Sequence, residues 1–472
     1  MIGRKREKDI LERCLTSNRP EFVVVYGRRR VGKTFLIKEY FNQQFSFYAT
    51  GVARGNTAMQ LRAFHASLKA YGSPEKDMPE DWFEALERLR ALLMSKSTYR
   101  DPMSGKMVVF FDELPWMDTA RSDFKSALDY FWNSWGSSQK DFVLIVCGSA
   151  TSWITKHLLK DRGGFHNRIT RRIQLLPFTL QECQQLLESN GNVMTQAQMI
   201  ECYMIFGGIP YYLNLLDTRL SLAQNVEELC FKPYGELRDE FDELFRSLFK
   251  KPEKYLDVIR SLGETKKGKT RKELIENPSI DSGAGLTKVL EELEQCGFIR
   301  RYTNYTTPAN GAFFQLVDPF TLFSLRYLLG SNAKNWMEYI NSSGYHAWRG
   351  NAFEIVCLNH VPQMKAALGI SGVATEEFSW QSKETTPGAQ IDLLLDRHDG
   401  IINLCEMKAT NEPFETDKTE YENIMHRLSA FQEETKPKKA IHITLVSANG
   451  LKRNKYSGVF QSIITGDDLF AV

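Results

Sequence analysis

The chain has 472 residues, of which 42% are hydrophobic and 12% aromatic, so its length and composition predict roughly three domains with real cores and exclude a disordered or fibrous protein. Its 60 basic and 58 acidic residues leave a net charge of +2, which confines any nucleic-acid surface to a local patch. The sequence shows no signal-peptide pattern and no apolar run near the roughly 18 residues of a membrane span. It has eight cysteines, none of them in CxxC spacing. These features predict a cytoplasmic protein with reduced thiols and no membrane partner.

Residues 1–178 alternate strand-sized apolar runs with helical periodicity, the pattern of a wound α/β sheet. The predicted strands are 21–26, 45–50, 106–112, 142–148 and 172–176. Only helical patterning follows over 179–250, and a Gly-Gly-Ile-Pro turn at 207–210 interrupts it. These two stretches therefore predict a sheet-containing core followed by a helical region.

Beyond residue 250 the patterning predicts three further regions. Residues 251–305 have short helical segments and then an apolar pair, which is the length and order of a winged helix. An aromatic-rich helical connector is expected over 306–349. Residues 350–472 return to α/β, with a helix, a group of strands, a second helix and another strand, so the fold class predicted for the chain is α/β.

The clearest chemical motif is GxxxxGK(S/T) at 27–34, between the first predicted strand and a helical stretch. In that context backbone N–H groups at a helix N-terminus cradle phosphates, Lys33 adds a positive charge on the β- and γ-phosphate oxygens, and the Thr34 hydroxyl joins a Mg²⁺ shell. A chance glycine loop is the alternative, and the strand and helix flanks argue against it. The sequence thus predicts ATP and Mg²⁺ as cofactors. The residues expected to hold them here are Gly27, Arg30, Gly32, Lys33 and Thr34.

Polar residues follow two further predicted strands. Asp112 and Glu113 end the apolar run 106–112, at the carboxyl edge of a parallel sheet, where ligands bind. We expect Asp112 to hold Mg²⁺ and Glu113 to act as the general base for the attacking water. Ser149 follows 142–148 and is expected to hydrogen-bond the γ-phosphate or the water.

Basic residues precede the fifth predicted strand. Arg168 and Arg171 are the candidates to reach a γ-phosphate, either in cis or across a subunit boundary. A solvated basic face is the alternative interpretation, and the sequence leaves both open.

Together these motifs make the N-terminal half resemble the AAA+-related, archaeal-type ATPases of the STAND group of P-loop NTPases. The resemblance includes Ile2-Gly3-Arg4 as a short N-terminal box, and the turn at 207–212 in the helical region. It implies a five-stranded parallel sheet with 142–148 between the two Walker strands, and a helical lid over 179–250. It also implies an ATP-dependent homo-oligomer that assembles through neighbouring nucleotide sites.

The predicted winged helix carries a basic cluster in the turn before its second helix, a candidate contact for the phosphates of DNA. The helix that would enter a DNA groove, 287–295, has one lysine and three glutamates, which is poor for groove reading. DNA contact and a protein-contact or linker role therefore stay open. The cluster consists of Lys266, Lys267, Lys269, Arg271 and Lys272.

In the last region, apolar runs at 391–395 and 401–405 flank an Asp-Gly turn and predict a hairpin. Residues two apart on a strand face the same way, so Glu406 and Lys408 project together, and the hairpin returns Asp392 across from Glu406. Two carboxylates so placed suit Mg²⁺ or Mn²⁺, which can activate water at a phosphodiester, with Lys408 orienting or deprotonating that water.

These residues make the last region resemble the restriction-endonuclease-like PD-(D/E)xK superfamily. The resemblance implies that Asp392 and Glu406 are metal ligands, Lys408 the catalytic lysine, and Glu354 the acid of the preceding helix. The proline of the superfamily's name is absent before Asp392. A surface hairpin with ordinary charges and a fold that no longer cuts are the alternatives.

The leading hypothesis is an ATP-binding and hydrolysing switch that controls a metal-dependent nuclease acting on DNA. The rival hypothesis is an ATP-gated DNA- or protein-binding regulator with a non-cleaving nuclease-like scaffold.

Overall fold

The computed structural model describes residues 1–149, 151–159, 163–165, 167–305, 312–329, 335–382 and 388–471. The chain forms two compact units, Met1–Leu176 and Pro177–Val472. Parts of the predicted connector, 306–311 and 330–334, lie outside the described residues. No helix in these described ranges combines the length and hydropathy that a bilayer span requires. All eight cysteines lie in described segments, where each is buried and none forms a disulfide.

The first unit is a helix-flanked sheet. Its described strands are β1 (Glu21–Tyr26), β2 (Phe47–Thr50), β3 (Met107–Asp112), β4 (Phe142–Gly148) and β5 (Arg171–Gln174). Its described helices are α1 (Lys5–Thr16), α2 (Lys33–Tyr40), α3 (Thr57–Ala70), α4 (Trp82–Leu93), α5 (Leu114–Met117), α6 (Phe124–Ser134) and α7 (Thr151–Ile154).

The strands of this sheet are parallel and follow the order β2-β3-β4-β1-β5. Strand β4 therefore lies between β3 and β1, and the implied topology is confirmed. Strands β1, β3 and β4 are rich in β-branched and aromatic residues and buried along nearly their whole length, because helices cover both faces of a parallel sheet. The topology brings the carboxyl ends of β1, β3 and β4 to one edge.

The second unit begins with helices, and every residue of 179–250 is described. The helices are α8 (Leu180–Ser189), α9 (Gln196–Phe206), α10 (Pro210–Leu213), α11 (Leu222–Val226) and α12 (Glu240–Leu248). Capping boxes begin α8, α9 and α11, which explains why these helices start where they do. The interrupting turn requires glycine at Gly208, because a Cβ there would lie 2.0 Å from the carbonyl oxygen of Phe178.

The middle of this unit, where the sequence predicts a winged helix, combines three helices with three short strands. Its elements are α13 (Pro252–Gly263), β6 (Lys269–Thr270), α14 (Arg271–Ile275), α15 (Ala284–Gln295), β7 (Ile299–Asn304) and β8 (Phe313–Leu316). Strand β8 pairs antiparallel with both β6 and β7. Strand β8 therefore lies in residues expected to belong to the connector and pairs with strands on the other side of the predicted boundary at residue 305.

The remaining elements surround the predicted hairpin. The helices are α16 (Pro319–Phe323), α17 (Ser343–Asn359), α18 (Val361–Ala367), α19 (Lys418–Thr435) and α20 (Gly466–Leu469). The strands are β9 (Thr375–Gln381), β10 (Gln390–Arg397), β11 (Ile401–Lys408), β12 (Phe414–Glu415), β13 (Ala440–Ser447), β14 (Leu451–Lys452) and β15 (Ser462–Ile464).

One sheet runs through both the middle and the C-terminal part of the second unit. Among the described strands its order is β15-β13-β11-β10-β9-β7-β8-β6. The joint is a short parallel pairing in which Thr303 and Asn304 of β7 meet Phe378 and Ser379 of β9. The two regions that the sequence separates at a connector therefore share a continuous sheet.

Candidate functional site

The phosphate loop connects β1 to α2 and closes around its own lysine. The Lys33 ammonium donates to the carbonyl oxygens of Gly27 at 3.0 Å and Arg28 at 2.8 Å. Gly27 has a φ of +141°, and a Cβ there would lie 2.3 Å from the Leu175 carbonyl oxygen, so the loop requires glycine at this position. The cap residue Gly32 brings no side-chain acceptor to the start of α2, and backbone donors at a helix N-terminus can bind an anion.

Asp112 at the end of β3 is held by several donors. Thr34 Oγ1 donates to its Oδ1 at 2.9 Å, the Cys147 thiol at 2.7 Å and the Glu113 backbone N–H at 3.0 Å. Burial and the negative charge of Asp112 raise the pKa of Cys147, so it stays a thiol and a donor. Thr34 and Asp112 thus present two oxygens beside the phosphate loop, which is a donor set that fits Mg²⁺.

Glu113 and Ser149 meet at the carboxyl edge of the same sheet. Glu113 takes a left-handed conformation with φ of 47°, which turns the chain sharply after β3. Ser149 Oγ donates to Glu113 Oε1 at 2.8 Å, and the Ser149 backbone N–H donates to Oε2 at 3.2 Å. The residue expected to meet phosphate or water therefore contacts the expected general base.

Arg4 ties the N-terminal box to the phosphate loop. Its guanidinium is buried and donates to the carbonyl oxygens of Val31 at 3.1 Å and Leu176 at 2.7 Å. The family resemblance places Arg4 in a short N-terminal box near the adenine. In the structure it links the start of α1, the phosphate loop and the residues that follow β5.

The candidate arginines lie at the other end of the sheet. The register pairs Arg171 with Val23, near the start of β1, whereas the phosphate loop follows the end of that strand. The Arg171 guanidinium lies 3.6 Å from the carboxylate of Glu21, and the exposed Arg168 precedes β5 on the same side. The two arginines therefore lie at the opposite end of β1 from the phosphate loop of their own subunit, and a contact of either with a γ-phosphate, in cis or across a subunit boundary, stays a prediction.

The hairpin of β10 and β11 forms the C-terminal candidate site. Its register pairs Leu393 with Cys405, so Asp392 and Glu406 are the next positions along the two strands. Glu354 lies on α17, largely buried. Burial first, then the negative charge of Asp392, raise the pKa of Glu354 to about 7, against the opposing effect of Lys266. The negative charges of Asp392 and Glu406 thus both act on Glu354.

Ion pairs occupy this group of carboxylates, which we call the carboxylate cluster (Glu354, Asp392 and Glu406). Lys408 Nζ lies 2.9 Å from Glu406 Oε1, and Arg427 lies 3.0 Å from Glu406 Oε2. Within the part of the chain that the structure describes, no three His, Cys, Asp or Glu side chains are arranged to hold a metal ion. The carboxylate oxygens suit Mg²⁺ or Mn²⁺ by their chemistry, but both oxygens of Glu406 have cationic partners that a metal would have to replace.

The N-terminal residues match a known family. Residues 1–216 match the family described as an ATPase domain predominantly from Archaea. The N-terminal part of this chain is an archaeal-type ATPase domain. A solved structure, the Walker-type ATPase of Pyrococcus abyssi, is similar to this chain with a TM-score of 0.50 and 17% identity, covering 69% of this chain and 96% of that one. It supports the fold of a P-loop ATPase.

Two curated relatives of this chain come from Methanocaldococcus jannaschii. An uncharacterized protein of that organism is 23% identical over 332 residues, which is 69% of this chain and 68% of that protein. An uncharacterized ATP-binding protein of the same organism is 44% identical over 43 residues, which is 9% of this chain and 73% of that protein.

Sequence reasoning missed two residues of helix α19 that belong to the carboxylate cluster's surroundings. Glu420 lies 2.8 Å from Lys408, and Arg427 bridges Glu406 and Glu420. Burial opposes the charge of Lys408, but Glu406 and Glu420 outweigh it and raise the pKa of Lys408. The two α19 residues are seven apart and so share one helix face, a signal that becomes useful only when α19 is known to cover β11.

Proposed function

We propose that the archaeal-type ATPase domain acts as an ATP-hydrolysing switch for a metal-dependent nuclease in the C-terminal part of the chain, with DNA as the substrate. The observation that carries the nuclease half is the register of the β10–β11 hairpin, which makes Asp392 and Glu406 the next positions after the Leu393–Cys405 pair, with Lys408 Nζ 2.9 Å from Glu406. Carboxylates are brought together against their repulsion where a cation is to be bound. The proposal includes a helical lid over 179–250 and a winged helix from 251 to the end of β8.

In the ATPase domain, the proposed roles rest on contacts between residues of the phosphate loop and the ends of β3 and β4. With nucleotide bound, Lys33 would exchange the carbonyls of its own loop for the β- and γ-phosphate oxygens. Thr34 and Asp112 would hold Mg²⁺, which would neutralise phosphate charge. Glu113 takes the proton of the attacking water. Ser149 orients the Glu113 carboxylate through the two hydrogen bonds that it donates.

In the nuclease half, Asp392 and Glu406 would hold a divalent cation, which supplies an activated water and stabilises charge on the phosphodiester. Lys408 orients the attacking water or takes its proton. Arg427 and Glu420 support these groups from α19. ATP binding would change access to this site, and an ATP-dependent homo-oligomer with Arg168 or Arg171 acting across a subunit boundary would complete the switch.

The rival function is an ATP-gated regulator that binds DNA or protein and does not cut. One observation favours it: both oxygens of Glu406 are paired with cations, Lys408 and Arg427. In that case the carboxylate cluster would be a structural ion-pair network.

Cleavage of DNA by the full-length protein separates the two functions. Plasmid and oligonucleotides are incubated with Mg²⁺ or Mn²⁺, with and without ATP. We expect metal-dependent cleavage that responds to ATP, complete loss of cleavage with retained ATP hydrolysis in Asp392→Ala, and metal-dependent cleavage without ATP response in Lys33→Ala. A folded wild-type protein that cuts no DNA form in any of these conditions would contradict the nuclease and favour the regulator.

A further inference from the structure

The turn at 264–268, between α13 and β6, carries two lysines that meet different partners. Lys266 Nζ lies 3.2 Å from Oε1 of Glu354 in the carboxylate cluster. Lys267 Nζ donates to the neutral amide oxygen of Gln381 at 3.1 Å. The middle region of the second unit therefore contributes one cation to the proposed nuclease site, and the adjacent cation is not paired with that cluster.

Backbone contacts fix the position of this turn. Gln315 Nε2 donates to the carbonyl oxygen of Lys266 at 2.6 Å, and the Tyr302 hydroxyl donates to the carbonyl oxygen of Lys267. Gly268 has a φ of +74°, and a Cβ there would lie 2.2 Å from a carbonyl oxygen of β8. Because these contacts use the backbone, substitution of either lysine side chain leaves the turn in place.

The charges around Lys266 make its contact with Glu354 replaceable. The side chain of Lys266 is 50% exposed, whereas that of Glu354 is 13% exposed. A lysine side chain is a flexible stem with a strongly hydrated point charge, so it can leave a fixed backbone position. A divalent cation held by the carboxylate cluster would satisfy Glu354 and repel the ammonium at a distance of a few ångströms.

We infer that Lys266 is an exchangeable counter-ion: it neutralises Glu354 while the carboxylate cluster holds no metal ion, and it moves to a phosphate of the DNA backbone when a divalent cation binds. The inference rests on the proposed nuclease function. It makes metal binding and DNA binding reinforce each other, because the cation frees a phosphate-binding group, and by linkage DNA favours the cation equally.

Metal affinity tests the first half of the exchange. Mn²⁺ is titrated by calorimetry into the full-length protein without nucleotide. The binding heat that is lost in Asp392→Ala is assigned to the carboxylate cluster. Lys266→Met keeps the apolar stem and removes the competing charge, so we expect it to bind Mn²⁺ about fivefold more tightly, a modest gain for a half-exposed lysine. Lys267→Met removes the same charge one position away, and its Mn²⁺ affinity should stay within about twofold of wild type.

DNA affinity tests the second half. Binding of a fluorescent oligonucleotide is measured with and without Mn²⁺ in full-length protein carrying Lys408→Ala, which prevents cleavage. We expect Mn²⁺ to raise DNA affinity in this background and in its Lys267→Met derivative. The Lys266→Met derivative should lose that Mn²⁺-dependent gain, and its salt slope with Mn²⁺ should fall by about one.

The outcomes separate this inference from the function on which it rests. Wild type that binds Mn²⁺ through Asp392, together with Lys266→Met of unchanged Mn²⁺ affinity, overturns the exchange alone. The exchange is also overturned if Mn²⁺ brings no gain in DNA affinity, if Lys266→Met keeps the full gain, or if Lys267→Met behaves like Lys266→Met. Wild type that neither binds Mn²⁺ through Asp392 nor cuts DNA overturns the proposed nuclease and the exchange together.

Discussion

Ser149 holds the carboxylate of Glu113 by two hydrogen bonds, one from its hydroxyl and one from its backbone N–H. The two residues directly follow the neighbouring strands β4 and β3, and Glu113 takes a left-handed conformation at this turn. A carboxylate fixed at both oxygens has a defined direction for accepting a proton. This relationship makes Ser149 a positioning residue for the proposed general base.

Ser149→Ala removes the hydroxyl bond and keeps the backbone bond. We expect kcat for ATP hydrolysis to fall about tenfold while KM for ATP stays within about twofold, because a positioning residue acts on the base and not on nucleotide binding. Glu113→Gln should bind ATP and hydrolyse it at least about a hundredfold more slowly. Steady-state kinetics of the double variant test this assignment. If Ser149 acts through Glu113, adding Ser149→Ala to Glu113→Gln lowers kcat no further. Additive reductions of kcat would contradict the assignment.

Arg171 supports a buried acid at the amino end of the sheet. Glu21 is fully buried, and burial raises its pKa, but hydrogen bonds from Thr170 and Arg19 outweigh this and lower it. Arg171→Ala withdraws one cationic partner from Glu21, so we expect the free energy of unfolding to fall by about 1–2 kcal/mol. Arg168→Ala removes an exposed side chain and should leave stability unchanged; thermal unfolding of both variants makes the comparison. Equal stability in Arg171→Ala and wild type would contradict this supporting role.

The raised pKa of Glu354 predicts that the free energy of unfolding depends on pH. Its pKa is raised to about 7 in the folded protein, so between the ordinary glutamate value and pH 7 the folded state keeps a proton that the unfolded state has lost. Stability from this group is therefore present at low pH and is lost as the pH rises toward 7. Glu354→Gln has no carboxyl group to ionise at this position, so it does not lose stability as the pH rises. We therefore expect its thermal unfolding midpoint to exceed that of wild type by several degrees at pH 8 and to match it near pH 4. A constant difference across this range would contradict the assignment.

Substitution of Lys408 is expected to affect metal binding and cleavage differently. Lys408→Ala removes the proposed water-orienting group, so cleavage should stop, but it also removes a positive charge 2.9 Å from Glu406. Mn²⁺ affinity should therefore stay the same or rise. Glu420→Gln is a control for a change of charge beside Lys408 that leaves the lysine itself in place. Glu420 contacts Lys408 at 2.8 Å and is not one of the predicted metal ligands. Calorimetry beside a nicking assay measures both effects, and loss of Mn²⁺ affinity in Lys408→Ala would contradict these roles.

The sequence predicts those features that depend on local patterns. The strands of the first unit appear as short apolar runs, and the phosphate loop of 27–34 has its motif and its flanks in one continuous segment. The hairpin of β10 and β11 is predicted because an Asp-Gly turn joins two apolar runs. Adjacent residues carry these signals, so a single sequence contains them.

Features that depend on distant pairing could not be predicted in this way. The direction of Arg171 follows from the register of β5 on β1, which no local pattern encodes. The cationic partners of Glu406 come from α19, whose polar face resembles an ordinary solvated surface until β11 is packed under it. Lys266 appears in a basic cluster suited to DNA, and only the position of its turn explains the contact with Glu354.

The short pairing of β7 with β9 has a consequence for any attempt to isolate the C-terminal part. A fragment that begins near residue 344 would lack β7 and would expose the backbone groups of β9 around Phe378 and Ser379 that β7 now covers. An unprotected strand of this kind recruits other chains into mixed sheets and promotes aggregation. Truncation at the connector is therefore expected to give insoluble or domain-swapped material, whereas a fragment beginning before α13 keeps the strand covered.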